Sequence, residues 1–123
     1  MVVSIHSIQE GYVNVFSIAG RFSGRWMNHD EPETKSYLVE INIPHTYYIS
    51  DFHIMENQLD SIEEHERGYI ISGRVTSCDE NIIFLSLCND LIMIEIVPDN
   101  RFYALINHNV SLFVREIELY KVD

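Results

Sequence analysis

Basic residues are scarce in this chain. Eight lysines and arginines stand against 19 aspartates and glutamates in 123 residues, a formal net charge of −11. Gripping nucleic acid by its phosphates takes a basic stripe. Arg74, Arg101 and Arg115 are scattered, and Arg21 and Arg25, which flank Phe22 just before Trp26, make too small a patch to reverse the field. The expected partner is a basic protein and not nucleic acid. Cysteine is scarcer still. Cys78 and Cys88, without CxxC spacing, exclude a disulfide framework. They read as free thiols filling the core in a reducing compartment, most simply the cytoplasm. Long hydrophobic runs are missing as well. Ile92–Ile94 is typical, and a bilayer helix needs about 20 apolar residues. Met1-Val2-Val3-Ser4-Ile5-His6 lacks the basic start and apolar block of a signal peptide, so neither export nor a membrane is expected.

Catalytic signatures are absent too. Gly11, Gly20, Gly24, Gly68 and Gly73 form no phosphate-binding loop, and no GxSxG elbow surrounds any serine. Cys78 precedes Asp79 and Glu80, which raise a thiol pKa and blunt a nucleophile. His6, His29, His45, His53, His65 and His108 show neither HxH nor HExxH spacing. Carboxylates are plentiful, but abundance does not single out an acid–base pair. No enzyme activity, metal or cofactor is expected.

What the chain does have is a hydrophobic fraction of 46%, with 11% aromatics, enough to fold one domain over 1–123. Its rhythm has a period of two, the mark of half-buried strands. Strands are expected at Val2–Ile8, Tyr12–Phe22, Tyr37–Ile43, Tyr69–Thr76, Asn81–Leu87, Leu91–Val97, Phe102–Ile106 and Val110–Tyr120. Glu10-Gly11, Pro98-Asp99-Asn100 and Asn107-His108-Asn109 read as turns. Asn89-Asp90 reads as a two-residue hairpin turn that sets Leu87 against Ile92, Leu85 against Ile94 and Ile83 against Ile96. Phe84, Ser86, Met93 and Glu95 make the other face. In the last strand, parity shifts after Arg115-Glu116, which implies a bulge or sharp bend. Between Ser50 and Arg67, Met55, Leu59 and Ile62 recur at spacings of four and three. That suggests one short amphipathic helix capped by Ser50 or Asp51, with a twisted strand as the alternative. The expected fold is mainly β and antiparallel, an OB-like or partly open barrel or sandwich with at most one short helix.

Two acidic groups stand out. Asp51, Glu56, Asp60, Glu63, Glu64 and Glu66 fall together without a lysine or arginine between them. On a helix, Glu56, Asp60, Glu63 and Glu64 would occupy neighbouring turns and repel. The group is either a docking surface or a solvated face. Asp30, Glu31 and Glu33 follow Trp26 in a polar loop, Trp26–Ser36. Trp26 either anchors an interface beside steering charges or closes the core. The candidate partner-binding residues are Glu56, Asp60, Glu63, Glu64 and Glu66, with Trp26, Asp30 and Glu31 as a second patch.

Gly73-Arg74-Val75-Thr76, the hairpin Ile82–Val97, Phe102–Ile106 and the closing Val110–Val114 with Ile117-Glu118-Leu119 resemble the OB-type barrel, especially the small variant appended to transporter ATPases. In that family a glycine commonly marks the turn before the closing strand, where this chain has Asn107-His108-Asn109. The resemblance implies a binding fold. In size, acidity and lack of catalytic residues the whole chain resembles the small acidic immunity proteins of bacterial toxin systems, including contact-dependent growth inhibition. That resemblance implies a cytoplasmic antidote that masks a basic toxin, often a nuclease. The expected function is a non-catalytic acidic binding protein that blocks such a toxin domain; the alternative is a β-barrel module for a small ligand or oligosaccharide.

Overall fold

Eleven strands, most of them alternating buried and exposed side chains, build the computed structural model, which describes residues 1–56 and 59–122. Strands β1 (Val2–Gln9), β2 (Tyr12–Ser17) and β3 (Gly20–Trp26) form an antiparallel meander. Strand β11 (Glu118–Lys121) lies parallel to β3 and antiparallel to β4 (Ser36–Asn42), and β4 pairs antiparallel with β1. The circuit β1-β2-β3-β11-β4 is a closed barrel. Between β4 and β11 the chain makes a second, antiparallel sheet from β5 (Phe52–Ile54), β6 (Ser61–His65), β7 (Gly68–Cys78), β8 (Ile82–Leu87), β9 (Asp90–Glu95) and β10 (Asn109–Val114). Its order is β5-β10-β7-β8-β9, with β6 also paired to β7. The fold is mainly β, as the period-two rhythm implied. Helical structure among the described residues is two 3-10 turns, Ile49–Asp51 and Asn100–Leu105, and no helix there is long and apolar enough to cross a membrane.

Bulges let these strands serve two neighbours. The register of β1 slips between Ile5 and Ser7, which bends the strand around the barrel. That of β7 slips between Val75 and Ser77, after the strand has left β10 and as it runs along β8. The stretch that resembles an OB-type barrel is divided: through Val114 it lies in the second sheet, and Glu118–Lys121 closes the barrel. The parity shift near Arg115-Glu116 is where the chain crosses between them.

Several expectations are corrected. Tyr12–Phe22 is two strands, because the Ser17 hydroxyl accepts from Ala19 N (3.1 Å) and donates to Gly20 O (2.9 Å), a local turn that competes with the ladder. Phe102–Ile106 belongs to a 3-10 turn. The Asp99 carboxylate accepts from Arg101 N (2.9 Å) as a cap, and the three-residue spacing of Phe102 and Leu105 buries both. The segment from Ser50 to Arg67 contains no α-helix among its described residues; Asn57 and Gln58 lie outside them. Leu59, expected on the apolar face, is 84% exposed, while Ile62 is buried by strand alternation in β6. Pairing with β7 satisfies the β6 backbone and avoids stacking carboxylates on successive helical turns. The β8–β9 hairpin turns at Cys88-Asn89, with φ of +50° and +71°, the left-handed pair that a two-residue hairpin favours. Leu85 therefore opposes Ile92 and Ile83 opposes Ile94. The register moves by two, so the same aliphatic set still faces the core.

The core is one cluster running through both sheets, from Val3, Val15 and Leu119 in the barrel to Ile71, Leu85 and Phe102 beyond it. Three polar contacts join the sheets around it. Ile62 N donates to Ala19 O (2.8 Å), Ser23 N to the Tyr69 hydroxyl (2.9 Å), and the Met1 amino group lies 3.2 Å from Asp90 Oδ1.

Candidate functional site

Strand β6 carries the first acidic group. Successive side chains on a strand point to opposite faces, so with Ile62 buried, Glu63 and Glu64 leave the strand in opposite directions, and both are exposed. Glu66 begins the turn to β7 at φ +53° and is exposed, as is Glu56 before the strand. Asp60 differs. Its Oδ2 accepts from Cys88 N (2.8 Å), so this half-buried carboxylate holds the base of the hairpin to the β8–β9 turn. With the Ile62–Ala19 bond, the base is fixed to both sheets while the carboxylates beyond it face solvent. Among the described residues, Glu56, Glu63, Glu64 and Glu66 form no ion pair. The side-chain pairs go elsewhere: Arg25 to Glu116, Lys35 to Glu33, Arg101 to Asp99 and Lys121 to Asp30. The recess beside the hairpin tip is mixed in charge, since Arg67 and Arg115 line it with Glu64, Glu66 and Glu116.

The second patch is largely engaged within the fold. Trp26 is only 8% exposed; it packs edge-on against Tyr37 (5.1 Å between centroids, 60°), and its Nε1 donates to Asp30 O (2.9 Å). It closes the barrel and offers no anchor to a partner. The Asp30 carboxylate lies 2.5 Å from Lys121 Nζ, and that hydrogen bond holds its pKa below the usual carboxylate range. Glu31 is exposed. The loop is folded back on the barrel by these bonds and by Glu33 N donating to the Tyr37 hydroxyl (3.0 Å).

Two further surfaces take their shape only in the structure. On the outer face of the barrel, Arg21 from β3 stacks over Phe16 from β2 (4.8 Å) with His6 at the ring's other contact (4.5 Å). Arg25 and Tyr12 beside them both reach Glu116, so only part of the expected basic-aromatic patch is free of acid. The other surface is a groove of about 650 Å³ between β4 and β9, lined by Leu38, Leu91, Met93, Tyr120 and Val122 with Glu40 and Asp90. Leu91 is 60% exposed and Met93 58%. The run Leu91-Ile92-Met93-Ile94 was the available signal: consecutive apolar residues make both faces of a strand apolar, which a half-buried strand does not need.

The thiols are half-buried. Burial pushes the Cys78 and Cys88 pKa values up, and Asp79 beside the first and Asp60 and Asp90 beside the second push the same way. Among the described residues, no three histidine, cysteine, aspartate or glutamate side chains converge as metal ligands. No family model matches the chain, and no curated protein or solved structure matches it.

Proposed function

We propose that the chain is a non-catalytic binding protein, acting in the cytoplasm, whose acidic β6–β7 hairpin docks against a basic protein. The observation that carries this reading is the division of charge. Four of the eight lysines and arginines pair with carboxylates elsewhere, and among the described residues Glu63, Glu64 and Glu66 stay exposed and without ion pairs on a hairpin fixed at its base, with Glu56 exposed before it and Arg67 and Arg115 in the recess beside its tip. Such a surface steers a cationic partner into contact and fixes its orientation. A nuclease must attract phosphate, so its cleft is positive, and an acidic hairpin seated there would occlude it. The partner class that fits is thus a toxin domain of nuclease type, with this chain as its antidote. Asp60 acts in this reading by holding the hairpin base; Trp26 and Asp30 are spent on the fold. A small-ligand or oligosaccharide module has less support, since the apolar groove has Tyr120 as its one aromatic and two carboxylates in its lining.

The test is co-expression with the protein encoded by the adjacent reading frame. This chain should relieve growth arrest caused by that protein, and the purified pair should dissociate more readily as salt shortens the Debye length below about 8 Å. The triple variant Glu63→Gln, Glu64→Gln, Glu66→Gln should weaken association while leaving the fold intact. Binding that is indifferent both to salt and to these substitutions would show that the hairpin is not the docking surface.

A further inference from the structure

Strand β9 has an open edge outside the acidic hairpin. It ends its sheet, so one side of its backbone lacks a neighbouring strand. Ile96 N donates to Asn81 O (3.0 Å), which sets the antiparallel bonding pattern: residues 90, 92, 94 and 96 bond towards β8, and 91, 93 and 95 turn their N–H and C=O groups outward. Tyr47 N takes the outward Glu95 O (3.0 Å). The outward groups of Leu91 and Met93 have no backbone partner among the described residues, and these two residues line the apolar groove. A second depression, holding Glu95 and His45, shares Met93 and Asn42 with it, so the trough continues along the strand. An apolar strand edge left open is a template for another strand, and soluble proteins normally blunt it with lysine, proline or a covering segment. Here the segment at Tyr47 covers only the end of the strand, from Glu95 to Val97, and among the described residues nothing covers the edge at Leu91 and Met93.

We infer that β9 takes up an extended segment of a protein partner by strand addition, with alternate apolar side chains seated in the groove and lysine or arginine between them. Charge chooses this occupant. Glu40, Asp90 and Glu95 lie along the trough; no lysine or arginine lines it, and the Met1 amino group that does is paired with Asp90, which leaves Glu40 and Glu95 to attract a cation. A second copy of this chain fits poorly, because antiparallel pairing would lay the acidic ends of two β9 strands against each other between molecules of net charge −11. In strand addition main-chain hydrogen bonds supply affinity and side-chain pockets supply selectivity, so Met93 N–H and C=O become the central pair and Leu38 and Tyr120 the pocket walls.

The probe is a capped peptide alternating lysine and valine, six residues long like β9. Titrated into the isotopically labelled protein, it should shift and protect the Leu91 and Met93 amides and move the signals of Leu38 and Tyr120. Replacing its lysines by glutamate should weaken binding by about tenfold or more. Met93→Pro removes an N–H that β8 does not use, a position where edge strands accept proline. That variant should keep the barrel signals and lose the response, and a probe N-methylated at its central valine should fail on the unaltered protein. The inference is overturned if β9 signals stay still at about millimolar peptide, or if the N-methylated probe binds as well as the parent. It is overturned too if β9 shifts with protein concentration alone, which would seat a second copy there. Shifts confined to the hairpin would overturn it while supporting the hairpin as a cation-binding surface.

Discussion

Gly20→Ala should loosen the joint between the barrel and the second sheet, and the structure sets how much. Gly20 opens β3 at φ +136°, a conformation that L side chains rarely adopt, and a Cβ there would lie 2.5 Å from Ile62 O. Backbone strain of this kind costs about 1–3 kcal/mol. The clash adds a term, because the Ile62 carbonyl is flexible at neither end. Its residue donates to Ala19 O (2.8 Å) and pairs with Ile71 in β7. Reaching ordinary contact at 3.4 Å means moving β6 by about 0.9 Å, and losing the Ile62–Ala19 bond costs about 0.5–1.5 kcal/mol. The expected loss is about 1.5–4.5 kcal/mol, a large part of the stability of a small domain. Gly11→Ala is the control. Gly11 sits at φ +84° in the β1–β2 turn with nothing within 4 Å of its would-be Cβ, so it bears conformational cost alone, about 1–2 kcal/mol. Urea unfolding followed by the fluorescence of Trp26, the only tryptophan, reads both. With a slope of about 2 kcal/mol per molar, Gly20→Ala should lower the midpoint by about 0.75–2.25 M and Gly11→Ala by about 0.5–1 M. If Gly20→Ala proves no worse than Gly11→Ala, the close contact between β3 and β6 is not what holds the hairpin base.

Three further outcomes are expected. Phe102→Ala removes a ring that is fully buried and edge-on to Phe52 (5.4 Å), and should cost about 3–5 kcal/mol in the same unfolding assay; a loss under about 1 kcal/mol would mean the 3-10 turn is not part of the core. The Arg101 guanidinium, hydrogen-bonded to Asp99, holds that carboxyl down at about 2 against an ordinary 3.8. A lowered folded-state pKa contributes stability above the unfolded value and loses it as pH falls through the folded one. Asp99→Asn, which keeps the cap acceptor, should therefore lower the urea midpoint at neutral pH, with the gap closing between pH 3.8 and about 2; a gap independent of pH would refute the pair. Burial raises both thiol pKa values, so iodoacetamide at pH 9.0, the ordinary thiol value, should label Cys78 and Cys88 more slowly than it labels the urea-unfolded chain. Mass spectrometry would count the adducts, and equal rates would contradict the burial.

Strand identity was legible because alternation is a local signal. In β8 and β9 it even survived a wrong turn: the misplaced hairpin slid the register by two, and Ile83, Leu85, Ile92 and Ile94 kept their faces. Turn chemistry was the weaker guide. Cys88 is not a residue that announces a left-handed turn, and the Ser17 side-chain turn that splits β2 from β3 lies inside a run rich in apolar residues on both sides, Val15-Phe16 and Ile18-Ala19. Asp99 was visible as a turn residue but its capping role was not, because Phe102 and Leu105 fit a short strand and a 3-10 turn equally well on paper. The spacing of Met55, Leu59 and Ile62 pointed to a helix only because periodicity was counted without the exposure of Leu59, which depends on what packs nearby.

For the candidate site the sequence located acidic residues but could not say which were already engaged. Asp30 meets Lys121 from 91 residues away, and Asp60 meets Cys88 from 28; no local window contains either pair. The distinction matters physically. A carboxylate that holds a cation or a backbone N–H has already traded part of its hydration for a fixed partner, and a docking protein would have to compete for it. Among the described residues Glu63, Glu64 and Glu66 are exposed and form no ion pair, so contact with a cationic surface gives up mainly water. The same reasoning separates the two patches that composition had ranked together: the loop after Trp26 is closed on itself by its own polar groups, whereas the hairpin is anchored at its base and open at its tip. Rigid anchoring lowers the ordering entropy that association would otherwise cost, which is why a short acidic hairpin fixed to both sheets suits docking better than an equally charged flexible loop.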